Sequence, residues 1–326
     1  MESDVPPQYF WGDEPTPDEY YASQGVRNEQ SYFSTPHGRL FTQSFLPIDI
    51  RSGDLAPVKA SVFMTHGYGS DSGWLFQKIA IAFARWGYAV FCADLLGHGR
   101  SDGLRCYVGD LDSIAQASFS FFSSVRRSPE YAHLPSFLFG ESMGGLVTLL
   151  IYFRSDPDLW TGFILSAPLI DIPDDMKPSK LRLFFYGLLF GLADTWEAMP
   201  ERNMVGKAIK DPDLLRVIAS NPRRYRGRPR VGTMRELARV TELVQKRFGE
   251  VKAPFLTVHG TDDGLATPEG SKMLYERAAS EDKELILYEG MYHSLIQGEP
   301  EENSSRVLAD MRKWIDERVR RIGGAD

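Results

Sequence analysis

The segment Phe137-Leu138-Phe139-Gly140-Glu141-Ser142-Met143-Gly144-Gly145 decides the fold. An apolar run of strand length leads into the pattern G-x-S-x-G, and a stretch of helical period rich in Leu and Val follows at once. This strand–turn–helix context is typical of a nucleophile elbow, which places Ser142 on a strained turn. Gly140 and Gly144 fit that turn because a Cβ there would collide with a neighbouring strand or helix. Ser142 is therefore the predicted nucleophile, and the alternative interpretation is an ordinary Gly-rich strand–helix turn.

Strand-length and helix-length segments alternate on both sides of this motif. Strands are predicted at residues 61–65, 89–93, 136–139, 162–165, 254–258 and 284–288, and helices at about 74–86, 111–125, 143–153, 233–248, 268–279 and 306–319. Near the start, two alternating runs, 32–34 and 40–46, flank the turn-forming tetrad Thr35-Pro36-His37-Gly38, which predicts an antiparallel hairpin at the sheet edge. The predicted fold class is α/β, with a mostly parallel central sheet flanked by helices.

The alternation fails once, between Leu169 and about Gly232. An apolar helix is predicted at 181–192, and short Arg-rich pieces interrupted by Pro follow it, which indicates an inserted helical cap. The predicted organisation is an N-terminal extension (1–30), a first core part (31–169), the cap (170–232) and a second core part (233–326). The cap holds 12 Lys and Arg residues against 8 Asp and Glu residues, although the whole chain carries a net charge of −7.

Composition excludes several classes of function. With 37 basic and 44 acidic residues, the chain repels polyphosphate, which disfavours a nucleic-acid role. Its two cysteines, Cys92 and Cys106, are too few for a disulfide framework or a multi-cysteine zinc site, and they predict reduced thiols in a cytoplasmic protein. No segment approaches the roughly 20 apolar residues that span a bilayer, and residues 1–18 lack the features of a secretory signal. The sequence predicts no metal site.

A serine hydroxyl needs a general base to act as a nucleophile near neutral pH, and histidine has the matching pKa. The chain order in this fold is nucleophile, acid, histidine, which leaves only His259 and His293. His293 follows the last predicted strand on a loop beyond the acid candidates, and it is the predicted base. His259 ends a predicted strand, where packing and bonding to the backbone are the expected roles.

The acid that orients this histidine is predicted to be one of two adjacent residues, Asp262 or Asp263. Adjacent side chains point in different directions, so one of them at most contacts the imidazole. The spacing H-G-x-x-D favours Asp263. Asp262 is alternatively a solvated turn residue that bonds nearby backbone N–H groups.

Two backbone N–H groups are required to stabilise the oxyanion of an attacked ester. The predicted donors are Met143, directly after the nucleophile, and Tyr68, in the loop after the strand at 61–65. The same loop contains His66 and Asp71 in an H-x4-D arrangement, which some acyltransferases use as base and orienter. Because this pair coincides with the oxyanion loop, a structural role is favoured for it.

With these motifs, the chain resembles the monoglyceride-lipase-like branch of the α/β-hydrolases, and within it the plant esterases of hydroxycinnamoyl shikimates. The resemblance runs from about Tyr9 to Val319. It is carried by EYYASQGVR (19–27), HGYGSD (66–71), FGESMGG (139–145), YGLLFGLADTW (186–196) and GMYHS (290–294). The cap string is the most discriminating of these, because caps differ between branches.

The resemblance implies an α/β-hydrolase fold and the hydrolysis of caffeoyl shikimate to caffeate and shikimate in the lignin pathway. It puts Ser142, Asp263 and His293 in the family's triad positions, and no metal or organic cofactor is implied. The doubled acid Asp262-Asp263 departs from the family pattern, which leaves the acid assignment open by one residue.

The proposed substrate carries a carboxylate on its alcohol half, which suits a basic cap. Lys207 is the predicted substrate-binding cation, preferred over Lys210 because Asp211 stands beside the latter; a solvated surface charge is the alternative role. The rival substrate is a monoacylglycerol or lysophospholipid, for which the segment 181–192 is a lid in peripheral contact with a membrane. A non-catalytic receptor of the hydrolase fold is a third hypothesis, which the complete triad disfavours.

Overall fold

The computed structural model describes residues 9–173, 194–197 and 204–323. These residues form one eight-stranded sheet with the strand order β1-β2-β4-β3-β5-β6-β7-β8. The strands are β1 (Val26–Thr35), β2 (Gly38–Pro47), β3 (Ala60–Thr65), β4 (Tyr88–Ala93), β5 (Ser136–Glu141), β6 (Gly162–Ser166), β7 (Phe255–Gly260) and β8 (Lys283–Tyr288). The strands β4-β3-β5-β6-β7-β8, in this spatial order, all pair in parallel with their neighbours. Strand β2 pairs antiparallel with both β1 and β4.

The hairpin predicted from the tetrad at 35–38 is confirmed. Strands β1 and β2 pair over their whole length, and Thr35 is opposite Gly38 at the turn. Strand β1 already begins at Val26, within the segment 1–30 that the sequence predicted as an extension. The hairpin therefore closes one edge of the sheet with antiparallel strands.

Helices lie between the strands and cover both faces of the sheet. They are α1 (Pro17–Ser23), α2 (Gln77–Arg85), α3 (Leu111–Arg126), α4 (Met143–Arg154), α5 (Met204–Ala208), α6 (Pro212–Ala219), α7 (Val231–Lys246), α8 (Pro268–Arg277) and α9 (Glu301–Gly323). One core contains apolar side chains of α3, α4, α7 and α8, and the other contains those of α2 and α9. Alternate residues of β5 enter the two cores: Leu138 the first, Phe137 and Phe139 the second. The predicted α/β class with helices on both faces is confirmed.

The predicted apolar helix at 181–192 lies outside the described residues. Of the predicted cap, the structure describes residues 170–173 and 194–197, helices α5 and α6, and the loop that leads into α7. Helix α6 begins at an N-cap, Asp211, whose carboxylate accepts the N–H groups of Asp213 and Leu214. Within the ranges 9–173, 194–197 and 204–323, no helix combines the length and hydropathy that a membrane span needs.

Candidate active site

Ser142 occupies a tight turn between β5 and α4. Its φ is 55° and its ψ is −122°, a positive φ that is uncommon for a residue with a side chain. The turn is held by the Ser142 N–H, which donates to the carbonyl of Ser166, and by the Ser142 carbonyl, which accepts from Leu169. Both β5 and most of α4 are buried. The strain is therefore supported by a rigid scaffold.

The two glycines of the elbow are required for close packing. A Cβ on Gly140 would lie 2.4 Å from the carbonyl oxygen of Gly144, and a Cβ on Gly144 would lie 2.3 Å from that of Thr65. Both distances are well inside van der Waals contact with backbone atoms, which are not free to move. As the sequence analysis expected, a Cβ would therefore collide with the backbone at both positions.

Three side chains from distant parts of the chain meet at the carboxyl ends of the parallel strands. The Ser142 Oγ lies 2.8 Å from His293 Nε2, and His293 Nδ1 lies 2.6 Å from Asp263 Oδ2. His293 and Asp263 are only 5% and 8% exposed. Hydroxyl, imidazole and carboxylate are therefore in series, in the geometry that activates a serine nucleophile.

Asp263, and not Asp262, contacts the imidazole. Asp263 Oδ1 accepts the N–H groups of Leu265 and Ala266 at 2.8 and 3.0 Å, which fixes the carboxylate in the loop after β7. Burial raises the pKa of Asp263, but His293 and His259 outweigh burial and hold the pKa well below its ordinary value. Asp262 is exposed, and its carboxylate accepts the hydroxyl of Thr261.

His259 is buried, as predicted, but it also donates a hydrogen bond to the carboxylate of Asp263. Its Nε2 lies 3.0 Å from Asp263 Oδ2 and 3.1 Å from the carbonyl oxygen of Ala266, and both of these are acceptors. Nε2 therefore carries the proton, while Nδ1 faces the Ser271 hydroxyl at 2.7 Å. Sequence reasoning missed this contact, because it depends on the path of the loop after β7.

The environment of His293 favours its protonated form. Burial lowers the pKa of His293, but the Asp263 carboxylate raises it, with a further contribution from Glu141, and the net shift is upward. A raised pKa makes the imidazole a stronger base towards the serine hydroxyl. It also means that the imidazole becomes neutral, and able to accept a proton, only at a higher pH than the imidazole of an ordinary histidine does.

Two backbone amides beside Ser142 have no acceptor within the described part of the chain. They are the N–H groups of Met143, at the start of α4, and Tyr68, in the loop after β3. The loop approaches the nucleophile closely, because a Cβ on Gly67 would lie 3.1 Å from the Ser142 Cβ. Both predicted oxyanion donors are therefore near the nucleophile, and neither N–H group is used by the described part of the chain.

The H-x4-D pair in the same loop is not assembled for catalysis. His66 Nδ1 donates to the carbonyl of Gly67 at 2.8 Å, and its Nε2 accepts the N–H of Leu95 at 3.0 Å. The carboxylate of Asp71 instead accepts from Gly73 and Asn221. One imidazole nitrogen therefore bonds within the loop, and the other connects the loop to the segment that follows β4.

A cavity of about 330 Å³ opens above Ser142 and His293. Its volume is in the range of small-molecule sites, and its lining is mostly apolar. Two cap arginines, Arg224 and Arg226, also line it. Neither guanidinium makes a hydrogen bond or an ion pair to any residue that the structure describes. Burial and the Arg226 guanidinium lower the pKa of Arg224 from its ordinary value.

Lys207, the cation predicted from the sequence, lies in α5 beside the acid loop. Its side-chain carbons pack over Gly264, and its neighbour Ala208 lines the cavity. The sequence pointed to the cap as the basic part of the site. It did not distinguish Arg224 and Arg226 from the other arginines of the same run, because a loop has no period that tells which side chains face inward.

Within the described ranges, no group of three or more His, Cys, Asp or Glu side chains is arranged to hold a metal ion. Ser142 and His293 line the cavity, Asp263 lies behind His293, and the backbone N–H groups of Tyr68 and Met143 are close by. This set of groups is suited to acyl transfer.

Comparisons with known proteins agree with this geometry. The family model Hydrolase_4, described as "Serine aminopeptidase, S33", matches residues 56–301. The chain is 64% identical over 314 residues to the caffeoylshikimate esterase of Arabidopsis thaliana, covering 96% of this chain and 92% of that protein. It is 30% identical to the monoglyceride lipase of Homo sapiens, covering 82% and 86%. The monoacylglycerol lipase of Paleococcus ferrophilus has the same fold, with a TM-score of 0.68, 22% identity and coverage of 86% and 99%. The predicted family is confirmed: the chain belongs to the Hydrolase_4 family, a hydrolase of the esterase and lipase group with the α/β-hydrolase fold.

Proposed function

We propose that the chain is a serine esterase that hydrolyses caffeoyl shikimate to caffeate and shikimate. One observation carries the proposal: the 2.8 Å contact of Ser142 with His293 at the base of an apolar cavity. The 64% identity to a caffeoylshikimate esterase supports the substrate. An apolar lining suits the planar caffeoyl half, and cap cations suit the carboxylate of shikimate.

The proposed reaction proceeds in two steps through an acyl-enzyme. His293 accepts the Ser142 proton while the serine oxygen attacks the ester carbon, and Asp263 stabilises the resulting imidazolium without taking its proton. The N–H groups of Tyr68 and Met143 stabilise the oxyanion. His293 then gives its proton to the shikimate oxygen as the carbon–oxygen bond breaks. Water repeats the sequence and releases caffeate.

The proposed carboxylate site consists of cap cations. Arg224 and Arg226 line the cavity and have unpaired guanidinium groups among the described residues, so a carboxylate would be their partner. Lys207, predicted from the sequence, remains a third proposed cation near the acid loop. In this proposal the segment 170–232 acts as a cap whose charge selects the substrate.

Arg224→Ala is expected to raise KM for caffeoyl shikimate by about 10-fold to 100-fold, because a charge-assisted hydrogen bond to the carboxylate is lost. The uncharged ester methyl caffeate should change much less. Steady-state kinetics of both esters measure the difference, and Lys207→Ala is compared in the same assay. Arg216→Ala is the matched control, since this arginine pairs with Asp213 on the exposed side of α6. Equal effects of Arg224→Ala on the two esters would rule out carboxylate binding.

The rival activity is hydrolysis of a monoacylglycerol. The apolar cavity and the 30% identity to a monoglyceride lipase favour it as the second candidate. In that case the cap segment, with its sequence-predicted apolar helix, is the proposed place of contact with a membrane surface.

A side-by-side comparison of caffeoyl, coumaroyl and feruloyl shikimates with a monoacylglycerol tests the proposal. We expect the highest kcat/KM for a hydroxycinnamoyl shikimate. Turnover confined to the monoacylglycerol would identify a lipase, and binding of an ester without turnover would identify a receptor.

We also propose that the protein works in the cytoplasm. Cys92 and Cys106 are both buried free thiols, which suits a reducing compartment. Burial raises the pKa of the Cys106 thiol to about 12, so the thiol stays protonated near neutral pH and does not react as a thiolate.

A further inference from the structure

His66 is a buried histidine in the loop after β3, and the proposed reaction does not use it as a base. Its Nε2 accepts the N–H of Leu95 at 3.0 Å, so the ring proton is on Nδ1. Nδ1 donates this proton to the carbonyl oxygen of Gly67 at 2.8 Å. Burial lowers the pKa of His66 against the opposing charge of Asp94, which favours the neutral imidazole that both hydrogen bonds require.

The carbonyl that His66 holds belongs to the same peptide unit as one predicted oxyanion donor. The Gly67 carbonyl and the Tyr68 N–H lie on opposite sides of a planar trans peptide, so the direction of one fixes the direction of the other. Because the carbonyl is bonded to the imidazole, the Tyr68 N–H points away from His66. This N–H has no acceptor in the described part of the chain, and Tyr68 lines the cavity that contains Ser142.

A second hydrogen bond reaches the same carbonyl. The Ser70 N–H donates to the Gly67 oxygen at 3.3 Å, which closes a β-turn over residues 67–70. Gly69 has a φ of 72°, the positive value that the third residue of a type II turn requires. The bond from His66 is the shorter of the two, and its ring is also held by the segment after β4. The imidazole therefore connects the direction of this peptide to the sheet and not to the loop alone.

The peptide is close enough to the nucleophile for its direction to affect the reaction. A Cβ on Gly67 would lie 3.1 Å from the Ser142 Cβ and 3.7 Å from the Ser142 Oγ. An oxyanion hole is effective because its donors are oriented before the charge develops. If the peptide rotated by half a turn, the carbonyl oxygen would replace the Tyr68 N–H and would repel the oxyanion.

We infer that His66 is a positioning residue of the oxyanion hole: its Nδ1 proton holds the Gly67 carbonyl, so that the Tyr68 N–H is directed at the ester carbonyl oxygen. The inference rests on the proposed ester hydrolysis, but not on the identity of the ester. The imidazole takes no proton from the nucleophile. It acts through one backbone peptide, whereas Asp71, the other member of the H-x4-D pair, bonds Gly73 and the cap.

Two substitutions at one position separate the two hydrogen bonds of His66. In His66→Asn the amide lies where Nδ1 was and donates to Gly67, whereas in His66→Gln it reaches the Nε2 position and accepts from Leu95. Each variant loses one bond, so thermal unfolding should fall by a similar amount in both. His66→Gln should lower kcat for methyl caffeate about 10-fold to 100-fold with KM nearly unchanged, and His66→Asn should lower kcat less than about 3-fold.

A trifluoromethyl ketone gives a spectroscopic readout of the same contact. The Ser142 oxygen adds to the ketone carbon and forms a hemiketal, whose oxygen lies in the oxyanion hole. Donors in the hole stabilise the hemiketal anion and so lower the pKa of the hemiketal hydroxyl. NMR titration should give a higher hemiketal pKa in His66→Gln than in the wild-type protein or His66→Asn. A merely structural role would reduce the amount of hemiketal without moving its pKa.

Equal losses of kcat in the two variants, or an unchanged hemiketal pKa in His66→Gln, would overturn the inference. If one variant does not fold, the other is compared with the wild-type protein on the same two readouts. Nitrogen-15 NMR of the wild-type His66 ring tests the inference without a substitution, because a proton on Nε2 would contradict it. Wild-type turnover of methyl caffeate but not of caffeoyl shikimate would refute the proposed substrate and leave the comparison of the variants intact.

Discussion

Ser142→Ala is expected to lower kcat/KM for caffeoyl shikimate by about 10⁴-fold to 10⁶-fold, the scale seen when a serine nucleophile is removed from a complete triad. The variant cannot form an acyl-enzyme, so His293 would have to activate water in a site arranged around the serine oxygen. Ester hydrolysis with the variant in excess over the substrate measures the residual rate. The oxyanion amides remain, so a small residual rate above the uncatalysed reaction is expected.

The fold should survive this substitution. The hydroxyl makes one side-chain hydrogen bond, to His293, whereas the backbone of Ser142 is held by Ser166 and Leu169. Thermal unfolding should therefore be nearly unchanged, and Ser120→Ala, at a half-buried position of α3, is the matched control for loss of a hydroxyl.

Covalent labelling gives an independent readout. A phosphonylating reagent should add its mass to the wild-type chain and not to Ser142→Ala, because the label requires the activated serine. Substantial turnover by a folded Ser142→Ala variant, or labelling of that variant at the same rate, would contradict the proposed nucleophile.

Much of this site follows from local sequence signals combined with one rule of topology. The apolar run before G-x-S-x-G predicts β5, and the Leu-rich run after it predicts α4. The loops after β7 and β8 hold Asp263 and His293, and the carboxyl ends of parallel strands meet at one edge of the sheet. Residues far apart in the chain could therefore be expected to converge.

Contacts between side chains that are far apart in the chain were not accessible to the same reasoning. Gln297 Nε2 donates a hydrogen bond to Glu141 Oε2 at the end of β5, 156 positions away, and neither residue belongs to a pattern that predicts the other. Arg224 and Arg226 stand in a run of arginines whose inward or outward orientation depends on the packing of the cap. The partner of His259 follows from the path of one loop, which brings Asp263 back over the strand end. Such features depend on tertiary structure and not on local propensity.

Asp263→Asn is expected to lower kcat by about 10⁴-fold, because an amide in place of the carboxylate no longer holds the productive tautomer of His293 or stabilises its imidazolium. Asp262→Asn is the matched control. Its side chain is exposed, and its one hydrogen bond in the described structure is with Thr261, so the substitution should change kcat by no more than about 2-fold. Steady-state kinetics of the two variants decide between the neighbouring aspartates, and a larger loss in Asp262→Asn would reverse the assignment.

The pH dependence tests the same contact through a second quantity. The pKa of His293 is raised, so the imidazole becomes protonated, and inactive as a base, as the pH falls through a value above the ordinary histidine pKa of about 6.5. The acid limb of kcat/KM in the wild-type enzyme should therefore lie above that value. Removing the Asp263 charge leaves burial as the main influence, and burial lowers the pKa of His293. The acid limb of Asp263→Asn should move to lower pH while the maximum rate falls. A limb that stays in place would show that the carboxylate does not set the basicity of His293, because a merely structural role of Asp263 would lower the rate without moving this pKa.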